Sequence, residues 1–336
     1  MTEDRTLVAT LVEHLVGRDV VGATSIALDL LDEGASPVQI LADLIGPAQE
    51  EIGERWHRNE VTVADEHAAT AIAEHVVASL TSIRHPQPQG PHVVLAGAEG
   101  EWHVLPARLV AESLRSEGFH VSFLGPSMPA RHLRSFIDSA RPDVLAVSCA
   151  TALSLDGVVA FVQVAHDAGI PVLAGGRAIP TERRARTLGA DLWAADAVAA
   201  AYVLRQELPR HLTEPTADTG GAMELGIDSV RWVERAMSIL AERFPQIAAY
   251  DADQIDRTRE DFGHIISFIQ AAVLVRDDGL FHEFVLWLRD LLEARGVPAP
   301  VLAVSLEALR DARPGDEVVA RLVRDATGAV RSGHRT

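Results

Sequence analysis

The fold class this sequence predicts is multidomain: a helical bundle, a doubly wound parallel α/β sheet, then a second all-helical module. Three observations predict it. Apolar residues recur at steps of three and four over residues 5–83. Short apolar runs alternate with helical stretches over residues 91–208. Helical periodicity then returns over residues 223–331.

In the first module Val38, Leu41, Ile45, Ala48, Ile52 and Trp56 share one helical stripe. Ser36-Pro37 starts it, with a capping hydroxyl and a proline at the first helical position. Pro47 sits inside the pattern and, lacking an N–H, is expected to kink the helix. Residues 84–91 have linker composition. Strands are expected over 92–98, 121–124, 144–147 and 172–174, with helices over 105–117, 130–140 and 155–168. Such a sheet has right-handed crossovers and binds ligands beyond the carboxyl ends of its strands. Residues 213–221 are polar and turn-rich, a second linker. Beyond it 230–243, 253–275, 280–295 and 299–311 read as helices.

Composition narrows the function. A formal charge of −18 and a pI near 5.1 argue against nucleic acid and anionic membranes as partners. The lone Cys149 rules out an intrachain disulfide framework and fits a cytoplasmic protein. No signal peptide and no apolar run long enough to span a membrane is evident. There is no hydrolytic triad, phosphate-binding glycine loop or zinc-spaced cysteine cluster, so no enzymatic turnover by this chain alone is expected.

His103, Ser148 and the Gly175-Gly176 pair all fall just after expected strands, which gathers them at one sheet edge, and Glu101 is the acid placed to serve His103. An imidazole is a good transition-metal ligand, and a hydrogen-bonded acid fixes its tautomer and raises its basicity. The order is an acid, a histidine two residues on, a serine 45 residues later, then Gly-Gly. It resembles the vitamin B12-binding signature of the methionine synthase type. The resemblance implies that His103 ligates cobalt from below and that Ser148, Thr151, Gly175 and Gly176 line a slot for the displaced nucleotide tail. Two departures stand out: Glu101 replaces the commoner aspartate, and Pro106 the usual glycine, which calls for a proline-compatible loop.

Trp56-His57 followed by Glu66-His67 is similar to the cap of B12-dependent photoreceptors related to the carotenoid-gene repressor. That resemblance implies adenosylcobalamin as cofactor, Trp56 and Glu66 over the adenosyl group, and His57 as upper cobalt ligand after illumination; the role of His67 is open. An indole offers a flat apolar wall and a carboxylate accepts from ribose hydroxyls. Taken singly, Trp56 also reads as a plug for the bundle and His57 as a solvated helix-end histidine. With the bundle starting near residue 5, no DNA-binding helix-turn-helix is expected ahead of it.

In the helix over 253–275 one stripe holds Ile255, Phe262, Ile266, Ile269 and Val273, the opposite one Arg257, Asp261, His264, Phe268 and Val275. Both faces of its second half are apolar, which points to burial on two sides or to a cofactor. The next helix presents His282, Trp287 and Arg289. A tetrapyrrole's propionates suit Arg257, Arg259 or Arg289, its N–H groups suit Asp261 or His264, and its rings suit Phe268 and Trp287. Each alone also reads as a surface charge or a core aromatic. The layout as a whole resembles the photocobilins, which implies a globin-like C-terminal domain holding a bilin such as biliverdin. With no cysteine there, the bilin is non-covalent.

The combined reading is a light-sensing photoreceptor with cobalamin and bilin chromophores, expected to form a homo-oligomer and to signal to an unknown downstream protein. A corrinoid protein carrying methyl groups for a methyltransferase system is the alternative. A module whose last domain binds haem or a protein is a third.

Overall fold

The computed structural model describes residues 2–81 and 87–332, so residues 82–83 of the bundle and 84–86 of the first linker lie outside the described residues. The chain divides into two compact units, Met1–Thr216 and Ala217–Thr336.

The first unit opens with α1 (Thr2–Val16) and α2 (Val20–Asp32). A continuous helical run follows: α3 (Pro37–Ile40), a π turn (Leu41–Ile45) and α4 (Gly46–His57). Ser36 and Gln39 cap its start reciprocally, as the Ser36-Pro37 signal predicts. Pro47 does not end the run. The π turn stands just ahead of it, with the Gly46 N–H donating to the Leu41 carbonyl, and this shift of register accommodates a residue that cannot donate. After α5 (Val63–Thr81) the bundle is complete. Leu41, Ile45, Ala48 and Ile52 of the expected stripe are buried in its core; Val38 and Trp56 are half-buried.

The sheet follows: β1 (His92–Gly97), α6 (Val104–Ser116), β2 (His120–Phe123), α7 (Ala130–Ala140), β3 (Val144–Ser148), α8 (Leu155–His166), β4 (Val172–Gly175), α9 (Glu182–Thr187), β5 (Leu192–Ala194) and α10 (Ala197–Leu204). All pairings are parallel and the strand order is β2-β1-β3-β4-β5. The order reverses between β1 and β3, so the crevice at their carboxyl ends is the natural ligand position. There Gly97, Ser148, Gly175 and Ala194 stand in register, one small residue per strand. Leu105, in the first turn of α6, belongs to the bundle's core cluster and Leu109 packs against it. The bundle is thereby seated on the helix that His103 begins.

Pro106 falls in that same first turn, where N–H groups have no acceptor within the helix, so proline costs α6 nothing there. The fifth strand adds to the four expected ones: its three residues between turns are too short to show a period in sequence.

The second unit holds α11 (Thr219–Ile227), α12 (Ser229–Arg243), α13 (Ala252–Val275), α14 (Asp278–Ala294), α15 (Ala299–Asp311) and α16 (Glu317–Ser332). Thr219–Gly221, expected as linker, instead open α11, because the Asp218 side chain accepts from the Gly221 N–H and caps the helix. The apolar character of both faces of α13 is explained by burial on two sides. Its Gln270 bonds the Ala222 carbonyl of α11, while its Phe268 stacks on Phe284 of α14 at 3.6 Å between centroids. Ile255 and Val273 of the expected core stripe are only half-buried, and Ile265 takes part in the core instead.

Candidate cofactor site

Glu101 organises the sheet edge. It follows β1, is 1% exposed, and spends both oxygens. Oε1 accepts from the His103 backbone N–H at 2.8 Å and from the ring Nδ1–H at 2.6 Å. Oε2 accepts from the N–H groups of Ala150 (2.6 Å) and Thr151 (3.0 Å), beyond β3. One carboxylate therefore joins the ends of β1 and β3 across the crevice, a span that the extra methylene of glutamate serves. Burial opposes its charge, but the bonds from His103, Thr151 and Ala150 outweigh that and hold its pKa below the ordinary carboxylate value.

His103 precedes α6, and its side chain is 58% exposed. The bond to Glu101 places a proton on Nδ1 and leaves Nε2 as the lone-pair atom, the tautomer a metal ligand needs. The same bond raises the pKa of the ring against the effect of its burial. Arg177, directly after the glycine pair, works against that charge; Glu66 of the bundle supports it. Among the described residues no group of three or more His, Cys, Asp or Glu is placed to share a metal. A single oriented imidazole suits a metal whose remaining ligands arrive with a macrocycle, so the donor set fits a corrin.

Ser148 and Thr151 are half-buried, and the Thr151 hydroxyl accepts from the Leu153 N–H. Gly175 and Gly176 are half-buried as well. Their first service is to the backbone. A Cβ on Gly175 would stand 2.7 Å from the Ala194 carbonyl oxygen, and one on Gly176 would stand 2.4 Å from that of Cys149. Gly176 also has φ +104°, which L side chains rarely adopt. Gly176→Ala is expected to destabilise the cofactor-free protein by about 2–3 kcal/mol, measured by urea unfolding. Buried Cys149 donates to the Thr151 carbonyl, and desolvation pushes its thiol far above the ordinary value, so it is inert.

In the bundle, Trp56 and His57 end α4 and both are half-buried. Glu66 and His67 lie in the first turns of α5. The Glu66 Oε1 accepts from the Thr70 hydroxyl at 3.1 Å, and Oε2 is 2.8 Å from Nδ1 of exposed His67. The structure thus joins Glu101, His103 and Thr151 directly, sets Ser148 and Gly175 in one register row, and brings Glu66 within electrostatic reach of His103. Sequence reasoning passed over Trp102, Arg177 and the Ala150 and Thr151 N–H groups. Trp102 had a visible signal, an aromatic beside the candidate ligand, and it is 74% exposed.

The candidate bilin residues are more dispersed. Arg257 and His264 are exposed, and both act on the charge of Asp261, whose pKa burial raises. Phe268, Phe284 and Trp287 form an aromatic run. Arg289 is buried and bonds Asp290, which leaves it no exposed cation to offer; its Nη1, like Nε2 of His282, is buried without a partner. A groove of about 820 Å³ in the same unit, lined among others by Asp218, Glu224, Arg235, Arg313 and Glu317, includes none of the six residues Arg257, Asp261, His264, Phe268, Trp287 and Arg289.

Residues 7–81 match one family model described as a B12 binding domain, and residues 91–202 match a second with the same description. Together they form a two-part cobalamin-binding module. The chain is similar to the HTH-type transcriptional repressor CarH of Myxococcus xanthus, 32% identical over 158 residues, covering 45% of this chain and 52% of the repressor. It spans about half the length of that curated relative. It is also 25% identical over 177 residues to the dimethylamine corrinoid protein of Methanosarcina barkeri, covering 49% of this chain and 80% of that protein. Among solved structures, the Methanosarcina barkeri monomethylamine corrinoid protein shares the fold. The TM-score is 0.52 at 17% identity, over 60% of this chain and 97% of that one. No helix among the described residues is long and apolar enough to cross a membrane.

Proposed function

We propose that the two-part B12-binding module is a light sensor that holds adenosylcobalamin between its helical bundle and the carboxyl edge of its sheet. The observation that carries this is the pairing of two oriented sites: the Glu101–His103 pair on the sheet, and a bundle whose Glu66 carboxylate is held by Thr70 and His67 and acts on His103. When bound, the cofactor supplies a cobalt–carbon bond that light can break. His103 would hold the metal through Nε2. Trp56 would offer an apolar wall and Glu66 an acceptor to the group the metal carries, and His57 would offer a second imidazole to the metal in the light state. A bundle that moves against the sheet as His57 engages is the two-state element a switch requires.

Illuminating the adenosylcobalamin-loaded protein is expected to give a stable spectral change that His57→Ala alters. An identical photoproduct in the variant would remove His57 from the mechanism. The second reading, a methyl-carrying corrinoid protein, is favoured by the similarity to the dimethylamine corrinoid protein. Dark affinity decides: a preference for methylcobalamin over adenosylcobalamin supports it.

In the C-terminal unit the proposal extends to a non-covalent bilin such as biliverdin. Its support is the aromatic run, the half-buried Asp261 and the unpartnered Nε2 of His282. The output is a downstream protein, without turnover by this chain itself.

A further inference from the structure

A hydrogen-bond chain inside the bundle is the observation that reaches furthest. Gln49 is on α4, and Glu66 and Thr70 are on α5. The Thr70 hydroxyl is 2.9 Å from Gln49 Oε1 and 3.1 Å from Glu66 Oε1. An amide carbonyl and a carboxylate both accept, and a hydroxyl has one proton to give, so it cannot satisfy both. At the same time Gln49 Nε2, with two protons to donate, is buried without a partner. A half turn of the Gln49 amide removes the conflict at Thr70 and gives Nε2 an acceptor there, because its oxygen and nitrogen occupy equivalent positions.

We propose that Gln49, Thr70 and Glu66 form a donor relay that makes the bundle select a cofactor whose upper group carries hydroxyls. Gln49 N–H donates to the Thr70 oxygen, and Thr70 O–H donates to Glu66 Oε1. His67 Nδ1 sits on the other oxygen. With Oε1 engaged and Oε2 steadied, the carboxylate cannot rotate, and its remaining lone pairs face a fixed direction as acceptors. A nucleoside bearing ribose hydroxyls meets that demand, whereas a methyl group leaves the carboxylate desolvated and unanswered. Gln49 and Thr70 are positioning residues: they act through Glu66. The inference rests on the reading of Glu66 as the bundle's contact to the upper group.

The test compares dark affinities for adenosylcobalamin and methylcobalamin across four variants of the full chain. Thr70→Val keeps the shape and removes the hydroxyl. It is expected to lower the adenosyl-to-methyl affinity ratio about fivefold, the worth of one hydrogen bond. Thr70→Ser restores the ratio. Gln49→Leu, which leaves α5 untouched, lowers it in the same direction. Glu66→Gln is the reference for losing the acceptor. A cofactor-free readout runs alongside: the Gln49 side-chain amide protons, resolved by NMR, are expected to exchange slowly and to shift and exchange faster in Thr70→Val. If Glu66→Gln lowers the ratio while Thr70→Val and Gln49→Leu leave it at the wild-type value, the relay is overturned and the reading of Glu66 stands. If Glu66→Gln itself leaves the ratio unchanged, that reading fails and the relay has nothing to aim.

Discussion

Replacing His103 with alanine is expected to lower cobalamin affinity by more than about 100-fold, since even the partners that orient a metal ligand are worth about 10–100-fold. Equilibrium dialysis with adenosylcobalamin measures it. The fold is expected to survive, because the side chain is more than half exposed and the backbone N–H bond from residue 103 to Glu101 remains. Thermal unfolding of the cofactor-free variant should therefore stay close to wild type. Free imidazole added to the variant is expected to recover part of the affinity, since the space left beside Glu101 admits it. A variant that binds as tightly as the parent would remove His103 from the metal, and with it the light-sensing proposal.

The spacing of His103, Ser148 and Gly175 was legible because strand ends are legible. A parallel sheet converts residues far apart in sequence into neighbours, and the pattern of apolar runs says where each strand stops. The backbone half of the site was not legible. Ala150 and Thr151 serve Glu101 through N–H groups that every residue but proline carries, so their side chains leave no mark. In sequence Gly176 offers room for a ligand, yet its positive φ and the closeness of the Cys149 carbonyl already require glycine.

The C-terminal unit shows the complementary limit. Periodicity found its helices, and the doubly apolar half of α13 was visible as a fact. Whether protein or a chromophore covers the second face depends on where α11 and α14 lie, which is tertiary information. Phe268 meets Phe284, a residue 16 positions later on another helix. Likewise Arg289 looked like a free cation in sequence, but it is buried against its own neighbour, Asp290. The start of α11 is hidden in sequence because Gly-Gly is ordinarily a turn signal. Only the Asp218 cap turns it into a helix start.

Glu101 is the residue on which both stability and binding converge, and its substitutions separate two explanations of its burial. All four of its partners are donors: the His103 N–H and ring, Ala150 and Thr151. Glu101→Ala leaves these donors unanswered and is expected to cost on the order of 3 kcal/mol in urea unfolding of the cofactor-free protein. Glu101→Gln has the same size but replaces one acceptor oxygen by an amide that points hydrogens at donors. It is expected to cost about 2 kcal/mol, and to reduce cobalamin affinity by about 10–100-fold by releasing the His103 ring or loosening the β3 end. If shape alone justified this residue, glutamine would be nearly neutral. A Gln variant within about 0.5 kcal/mol of wild type, the range of ordinary surface changes, would show that the carboxylate is not the clamp between β1 and β3. Glu101→Asp then reads the reach of the side chain, since the shorter acid is expected to keep the His103 bonds and lose those to Ala150 and Thr151. Retained cobalamin affinity with reduced stability in that variant would assign the tautomer to one oxygen and the strand junction to the other.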